Sequence, residues 1–326
     1  MYIYSAVGLS QMSEPSSASA SMPPGLKGKI CPDGGSQTTD RCRDGVAKTC
    51  PRIPDLLCVT RVNDVPFEYV ADGKTKAGKR ITRIKRNPAT GLYEVVDRVT
   101  ERTQKFIPEV GKALSTFLGN MAAFGMPVAG ILTMGSYYCR CVSGTTTLSN
   151  HSVGDALDIV GVRWSESQQP ARTLPDTIIH NYNSGDQREM LLVRRINACL
   201  RLSFATVLDY SNVARPHCDH FHCDLRNRRS RERLPKRPAT LYFVQESLSL
   251  MLGREIPMTG RWDQPTERGL MDHSKVSSVE SLRRDHGLLN QVLDSLFTSV
   301  ASGKIAAQPR PVARPKLCKK LIPFSA

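Results

Sequence analysis

The chain has 326 residues, of which 40% are hydrophobic and 23% are charged, so its composition excludes wholesale disorder and allows one large or two medium domains. Its formal net charge of +15 predicts an anionic partner, and nucleic acid, anionic lipid and a negatively charged wall polymer are the candidates. No run approaches the roughly 20 apolar residues of a transmembrane helix, so none is expected.

Ten cysteines are scattered along the chain without the C-x-x-C spacing of a zinc knuckle or a thioredoxin site. Their even number and spacing favour disulfides and an oxidising compartment, although buried free thiols are an alternative for a few of them. The N-terminus, MYIYSAVGLSQMSEPSS, lacks the basic and apolar regions of a signal peptide. We therefore expect a periplasmic or secreted protein whose signal has been removed or whose export, by a specialised secretion system for example, uses no cleavable signal.

The N-terminal third predicts a tail followed by a β-rich region. Residues 1–26 contain the Ser/Pro-rich stretch SEPSSASASMPPG, which is typical of a flexible tail. Residues 27–104 predict a Cys-rich segment and basic hairpins that pack on the next domain, with turns at Asp72-Gly73 and at Gly91. The run of basic residues between Lys74 and Arg86 has a simpler interpretation, since such a charge run is usually just a solvated edge hairpin.

The central region, residues 105–228, mixes helices and short strands without a regular βαβ order. Helical spacing of apolar residues predicts helices over 108–125 and 190–200. The strand-like segments are GILTMGSYY, ALDIVGV, FATVLDY and HFHCDL. The sequence therefore predicts an α+β domain with a small antiparallel sheet.

The C-terminal third predicts a separate helical unit. The basic stretch 226–237 is interpreted as a linker, with a domain boundary near residue 238. Residues 238–302 predict a small helical bundle, since Val244, Leu248 and Met251 share one helical face. A basic tail, 303–326, follows.

The segment SNHSVGDALDIVGV places His151 seven residues before Asp158. Asp158 lies in an apolar strand, where an isolated buried carboxylate would cost several kcal/mol unless it were paired or metal-bound. Gly154 allows the sharp turn that would bring the two side chains together. A turn histidine and an aspartate paired with an arginine explain this segment equally well.

The segment HCDHFHCDL adds His217, His220 and His222. Residues i and i+2 of a strand point to the same side, so His220 and His222 would face one cavity. Imidazole and carboxylate ligands together suit zinc, and a catalytic zinc keeps three protein ligands. His151, Asp158, His220 and His222 are four candidates, which leaves one residue over as a base.

These motifs together resemble a known family. H-x6-D followed by H-x-H resembles the superfamily of lysostaphin-type, D-Ala-D-Ala-type and hedgehog-type zinc folds. More narrowly, GSYYCR, SNHSVGDALDI, TVLDYSN and HCDHFHCDL resemble the bacterial extensin-like C-terminal domain. The resemblance implies a zinc metallopeptidase domain over residues 105–228.

The resemblance also implies roles for individual residues. It makes His151, Asp158 and His222 the zinc ligands, His220 the base or transition-state stabiliser and His217 an assisting residue. Arg140 would hold a substrate carboxylate or carbonyl oxygen. A disulfide between Cys139 and Cys199 is implied as well.

The sequence departs from the family pattern at Cys141, Cys218 and Cys223. Cys218 would be a rival ligand if it were reduced, and we expect a disulfide instead.

The C-terminal segments VQESLSLMLG and TGRWDQPTERGL are similar to the three-helix peptidoglycan-binding domain, with Trp262 and Asp263 in its turn. Any small helical bundle with a core tryptophan is the alternative. The combined resemblance implies a zinc peptidase that hydrolyses D-amino-acid-containing peptidoglycan stem peptides or crosslinks, with a D,D-endopeptidase favoured. The alternatives are a D,D-carboxypeptidase and a non-catalytic zinc-containing wall-binding protein.

Peptidoglycan is therefore the expected partner, with anionic wall or envelope polymers as further partners. Only 6% of the residues are aromatic and the basic stretches contain no recognised nucleic-acid motif, so no specific nucleic acid is expected.

Overall fold

The computed structural model describes residues 22–32, 34, 39–41, 47–74, 80–142, 145–166, 174–211, 217–225 and 237–305. The predicted N-terminal tail up to residue 21, the basic linker up to residue 236 and the C-terminal tail after residue 305 lie outside these ranges.

The β-structure begins at the N-terminal end of the described residues and continues through the central region. In chain order the strands are β1 (Leu26–Ile30), β2 (Thr39–Arg41), β3 (Ala47–Thr49), β4 (Leu57–Val62), β5 (Val65–Tyr69), β6 (Gly73–Lys74), β7 (Arg80–Ile81), β8 (Ile84–Arg86), β9 (Tyr93–Val95), β10 (Val99–Thr100), β11 (Gln104–Phe106), β12 (Val128–Gly135), β13 (Ala156–Trp164), β14 (Asp176–Ile178), β15 (Thr206–Leu208) and β16 (Phe221–Asp224).

One ten-stranded sheet organises the molecule, in the order β1–β4–β5–β12–β13–β16–β15. Strands β10, β11 and β14 pair with β5, β4 and β13 respectively. The β5–β12 pair is parallel and the other pairs of this sheet are antiparallel. The N-terminal region therefore continues the sheet that carries the predicted site.

Six α-helices lie in the described residues. They are α1 (Pro108–Ala123), α2 (Gln187–Ser203), α3 (Pro238–Leu252), α4 (Gln264–Ser274), α5 (Val279–Arg284) and α6 (His286–Ala301). Proline occupies the first turn of α1, α3 and α4, where a missing N–H costs no helical bond. Aspartates 186, 263 and 285 cap α2, α4 and α6 through their side chains. No helix in these residues is long and apolar enough to cross a membrane.

The hydrophobic core is continuous from the sheet to the C-terminal helices. Phe67 of β5, Phe117 of α1, Leu200 of α2, Leu248 of α3 and Leu289 of α6 belong to one buried cluster. Burial of such side chains contributes about 1.5–3 kcal/mol each, so the C-terminal helices are held firmly on the central region.

The structure confirms the α+β class and corrects two details. The sheet is larger than the small antiparallel one predicted, because strands from residues 26–106 add to it. The turn predicted at Asp72-Gly73 is wrong, since Gly73 lies in β6 and pairs with Ile81 of β7. The turn at Gly91 is confirmed between β8 and β9, where Gly91 has a φ of 72°.

Candidate metal centre

Two neighbouring strands and a short helix deliver three side chains to one point. Asp158 of β13 lies directly opposite His222 of β16, and opposite residues of an antiparallel pair share a face with Cβ atoms about 4.5–5.5 Å apart. His151 lies in a 3-10 helix, Asn150–Val153, just before β13. Gly154 ends that helix at a φ of 69°, and a Cβ there would meet Leu56 Cδ1 at 2.7 Å. This glycine therefore permits the turn predicted from the sequence.

Three ligand atoms form a nearly equilateral triangle. His151 Nε2 lies 3.1 Å from Asp158 Oδ1 and 3.1 Å from His222 Nδ1, and His222 Nδ1 lies 3.0 Å from the same carboxylate oxygen. All three residues are buried, and together they could hold a metal ion. The structure thus brings together the three residues predicted as ligands.

The outer nitrogen of each histidine faces an acceptor. His151 Nδ1 contacts the carbonyl oxygen of Ser136, and His222 Nε2 lies 3.2 Å from Asp224 Oδ2. Each outer nitrogen therefore carries a proton, and when the ring is neutral its inner nitrogen presents a lone pair. Two lone pairs and a carboxylate oxygen then converge, an arrangement that needs a positive charge among them.

The electrostatics of the protein without a metal reflect the same need for positive charge. Burial would lower the pKa of His222, but hydrogen bonds and charges from Asp158 and Asp224 raise it to about 9. Burial would likewise raise the pKa of Asp158, but contacts with His151 and His222 and the charge of His220 hold it well below its ordinary value. A proton on a histidine is thus one way to supply the missing charge.

His220 lies beside the triangle but outside it. Its Nε2 atom is 3.5 Å from Asp158 Oδ1, while its Nδ1 atom lies 2.8 Å from Asp219 Oδ1. The His217 ring is centred 4.9 Å from the His220 ring and 5.9 Å from the His222 ring. His220 is partly exposed, so it can meet a molecule from solvent, whereas His151 cannot.

Arg140 stands at the solvent edge of the centre. Its backbone is tied to the 3-10 helix, because its N–H donates to Ser152 Oγ at 3.0 Å and its carbonyl accepts from Ser149 N at 2.9 Å. Its guanidinium carbon lies 5.9 Å from the centre of the Tyr138 ring. That ring in turn packs edge-on against His151, with centroids 5.7 Å apart.

The central part of the chain, residues 98–234, matches the family model described as the extensin-like protein C-terminus. This match supports an extensin-like domain in that region. No curated protein and no solved structure matches the chain. The matched range contains every residue of the candidate centre.

The disulfide predicted within the extensin-like domain is wrong. Cys139 is bonded to Cys50, with Cα atoms 5.7 Å apart, and Cys199 is a buried free thiol in α2. Cysteine spacing alone does not determine connectivity, and here the partner comes from the segment before β4. A second disulfide joins Cys31 to Cys58.

The three cysteines that depart from the family pattern differ in their bonding state. Cys141 and Cys218 are in disulfides, so the expectation for Cys218 is confirmed. Cys223 is buried and free, and burial raises its pKa well above the ordinary value.

Sequence reasoning missed the residues that orient the histidines. Asp219 and Asp224 lie within the same motif, and Asp224 follows His222 by two positions, so strand alternation could have identified it. The role of the Ser136 carbonyl could not be predicted from the sequence, because every residue has a backbone carbonyl whatever its side chain. Tyr138 lay within the recognised GSYYCR motif, but its packing on His151 depends on the fold.

Proposed function

We propose that the extensin-like domain is a zinc-dependent peptidase that hydrolyses D-amino-acid-containing stem peptides or crosslinks of peptidoglycan. The observation that carries the proposal is the convergence of His151 Nε2, His222 Nδ1 and Asp158 Oδ1 within 3.0–3.1 Å of one another. Hydrogen bonds cannot satisfy this triangle while both inner nitrogens present lone pairs. The peptidoglycan substrate is supported by the motif resemblance to D-Ala-D-Ala-type peptidases.

Zinc fits the donor set and its spacing. Tetrahedral bonds of about 2.0–2.2 Å to nitrogen and oxygen place ligand atoms about 3.3–3.5 Å apart, only a few tenths of an ångström more than the separations here. The Ser136 carbonyl and the Asp224 carboxylate fix the two rings, as outer partners of zinc-binding histidines do. His151, Asp158 and His222 would therefore hold the ion.

A bound zinc ion supplies Lewis acidity, which polarises a peptide carbonyl and lowers the pKa of water to about 7. We assign His220 as the general base that takes a proton from the attacking water and passes it to the leaving amine. Asp219 fixes the proton on His220 Nδ1, so that Nε2 presents its lone pair towards the centre. His217, packed on the His220 ring, is assigned an assisting role, and Arg140 a role in holding a substrate carboxylate or carbonyl oxygen.

The first test is metal content. Protein purified without chelator is expected to contain about one zinc per chain, and His151→Ala and His222→Ala are expected to lose it. The exposed His286 of α6 provides a control, since His286→Ala should keep the metal. Full zinc retention in both ligand variants would refute the assignment.

The second test is digestion of purified sacculi followed by mass spectrometry of the muropeptides. An endopeptidase, which is the favoured hypothesis, converts crosslinked dimers to monomers. A carboxypeptidase instead shortens the stem peptide by its last residue. An unchanged muropeptide profile with zinc-loaded protein would refute the peptidase proposal.

We further propose that the C-terminal helices bind the wall and that the protein works in the periplasm or outside the cell. The Cys31–Cys58 and Cys50–Cys139 disulfides are compatible with an oxidising compartment. The +15 charge favours additional binding to anionic wall or envelope polymers, which salt would weaken. At moderate salt, Trp262→Ala is expected to reduce sedimentation with sacculi relative to Trp262→Phe; equal sedimentation would refute the wall-binding role.

A further inference from the structure

Two exposed arginines lie near the solvent edge of the candidate centre. Arg102 and Arg140 are both exposed, and neither has an ion pair among the residues that the structure describes. Each lies against a tyrosine ring: Arg140 Cζ is 5.9 Å from the centre of Tyr138, and Arg102 Cζ is 5.0 Å from the centre of Tyr69. Arg140 is already part of the proposed site, whereas Arg102 and Tyr69 come from the N-terminal part of the sheet.

The fold brings the N-terminal pair to the same edge. Strand β5 ends at Tyr69, which lies beside Thr133 of β12, and β12 ends at Gly135, opposite Asp158. Three residues after Arg102, the Lys105 N–H donates to Ser136 Oγ at 2.7 Å. The carbonyl of Ser136 is the acceptor that orients His151, so this segment is anchored to a residue that supports the centre.

The electrostatics of Tyr138 agree with this placement. Burial, followed by the charges of Tyr69 and Asp158, raises the pKa of Tyr138 to about 12, while the charges of Arg140 and Arg102 oppose the increase. The two arginines, Tyr69 and the ligand carboxylate therefore all lie close enough to Tyr138 to influence its charge.

Arg102 is held in a prepared position. The Tyr69 ring lies between two guanidinium groups, with Arg83 Cζ 5.8 Å from its centre and Arg102 Cζ 5.0 Å from it. Arg83 is buried, donates to the Ala71 carbonyl at 2.7 Å and pairs with Asp97 at 3.3 Å. Because Arg83 is fixed on both sides, it fixes the ring on which Arg102 stacks, and less side-chain entropy is lost when Arg102 binds a ligand.

We propose that Arg102, stacked on Tyr69, binds a free carboxylate of the peptide substrate, within one or two residues of the cleaved bond. A guanidinium matches a carboxylate in two parallel hydrogen bonds, and an exposed guanidinium without an acidic partner is available for that contact. The substrate class is then a peptide whose residue on the amine side of the cleaved bond carries a free α-carboxylate. This inference rests on the proposed peptidase function.

The test is binding without turnover. Zinc-loaded His220→Ala protein is titrated calorimetrically with a short peptide ending in D-Ala-D-Ala and with the same peptide as its C-terminal amide. We expect the acid to bind about 10- to 100-fold more tightly than the amide, the range expected for a hydrogen bond to a charged group. Adding Arg102→Gln should remove most of this difference, Arg102→Lys should keep part of it, and the exposed control Arg284→Gln should leave it intact.

The outcomes separate this inference from the proposed function. Equal binding of acid and amide, no binding of either, or an unchanged ratio in Arg102→Gln would overturn the carboxylate subsite, even if the wild type cleaves sacculi. A preference for the acid over the amide that is lost in Arg102→Gln would support the carboxylate subsite, even if the wild type leaves muropeptides unchanged. If Arg102→Gln lost affinity only for a phosphodiester wall polymer, the ligand class would be wrong.

Discussion

Asp224 offers a sharp test of the candidate metal centre, because it contacts His222 at the ring nitrogen that does not face the other two candidate ligands. Its carboxylate is fully buried and lies 3.2 Å from His222 Nε2, where it fixes the proton on the outer nitrogen. The Asp224→Asn substitution keeps the shape of the side chain but removes the negative charge that makes the His222 imidazole a stronger metal ligand. If the amide turned its NH2 group towards His222, the ring would carry its proton on Nδ1 and could no longer bind a metal there.

The expected magnitude follows from the geometry. Outer partners of this kind typically contribute 10- to 100-fold to metal affinity. The distance of 3.2 Å is at the long end of the N–H···O range. We therefore expect the zinc affinity to fall by the lower part of that factor, about 10- to 30-fold or about 1.4–2 kcal/mol. Zinc affinity is measured by competition with a chromophoric chelator at fixed pH.

The control is Asp176→Asn, which removes another buried carboxylate, one paired with Arg98 at 2.8 Å and with no contact to the ligands. This variant is expected to lose stability but to keep its zinc affinity. If Asp224→Asn bound zinc as tightly as the wild type, or if both variants lost affinity equally, the argument from the proton positions of the histidines would be refuted.

Three further predictions concern the base, a buried histidine and the thiols. His220→Ala is expected to keep its zinc and lose about 10²–10⁴-fold in turnover on muropeptides; loss of the metal would make His220 a ligand instead. Burial lowers the pKa of His180 to about 4, so the unfolded chain takes up its proton first as the pH falls. Between pH 6.5 and 4, the metal-depleted wild type should lose about 3 kcal/mol more unfolding free energy than metal-depleted His180→Gln, and equal losses in the two proteins would contradict the assignment. Non-reducing peptide mapping should link Cys50 to Cys139, and alkylation of the native protein at pH 8 should spare Cys199, whose pKa burial raises to about 12; rapid labelling would disprove its burial.

The local periodicities of the sequence predicted the elements that position the site. Helical spacing placed α1 within two residues of its end, and the alternation of residues 156–162 placed Asp158 on β13. The seven-residue spacing and the H-x-H alternation gave four candidate side chains, and the family resemblance selected the three that meet in the structure. These features were accessible because each depends on the conformation of one short segment.

Features that depend on contacts between distant segments were not accessible. Nothing in the local pattern of β5 indicates that it pairs in parallel with β12, so the extension of the sheet by the N-terminal region was missed. The Cys50–Cys139 disulfide was missed for the same reason, because it joins segments that are 89 residues apart in the sequence. The proximity of Arg102 to the centre likewise follows only from the sheet order.

The C-terminal helices and the candidate centre are joined by buried polar contacts. Glu246 of α3 pairs with Arg194 of α2 at 2.9 Å, and both side chains are buried. Arg201 of α2 donates to the Ala239 carbonyl at 3.3 Å and pairs with Asp209 at 2.8 Å.

The backbone carbonyl of Asp209 accepts from the His217 N–H at 3.3 Å, so these contacts end at the segment that leads into His220 and His222. Removing one member of a buried ion pair leaves the other charge uncompensated, typically at a cost of 3–5 kcal/mol. Deleting residues 238–302 would remove Glu246 and so leave the buried charge of Arg194 without its partner. The deletion would also expose the face of α2 that packs on these helices. A lower zinc content after such a deletion would therefore report damaged packing. The proposed wall binding by these helices is therefore better tested by changing Trp262, which precedes the Asp263 N-cap of α4 and packs partly buried against the core, than by removing the helices.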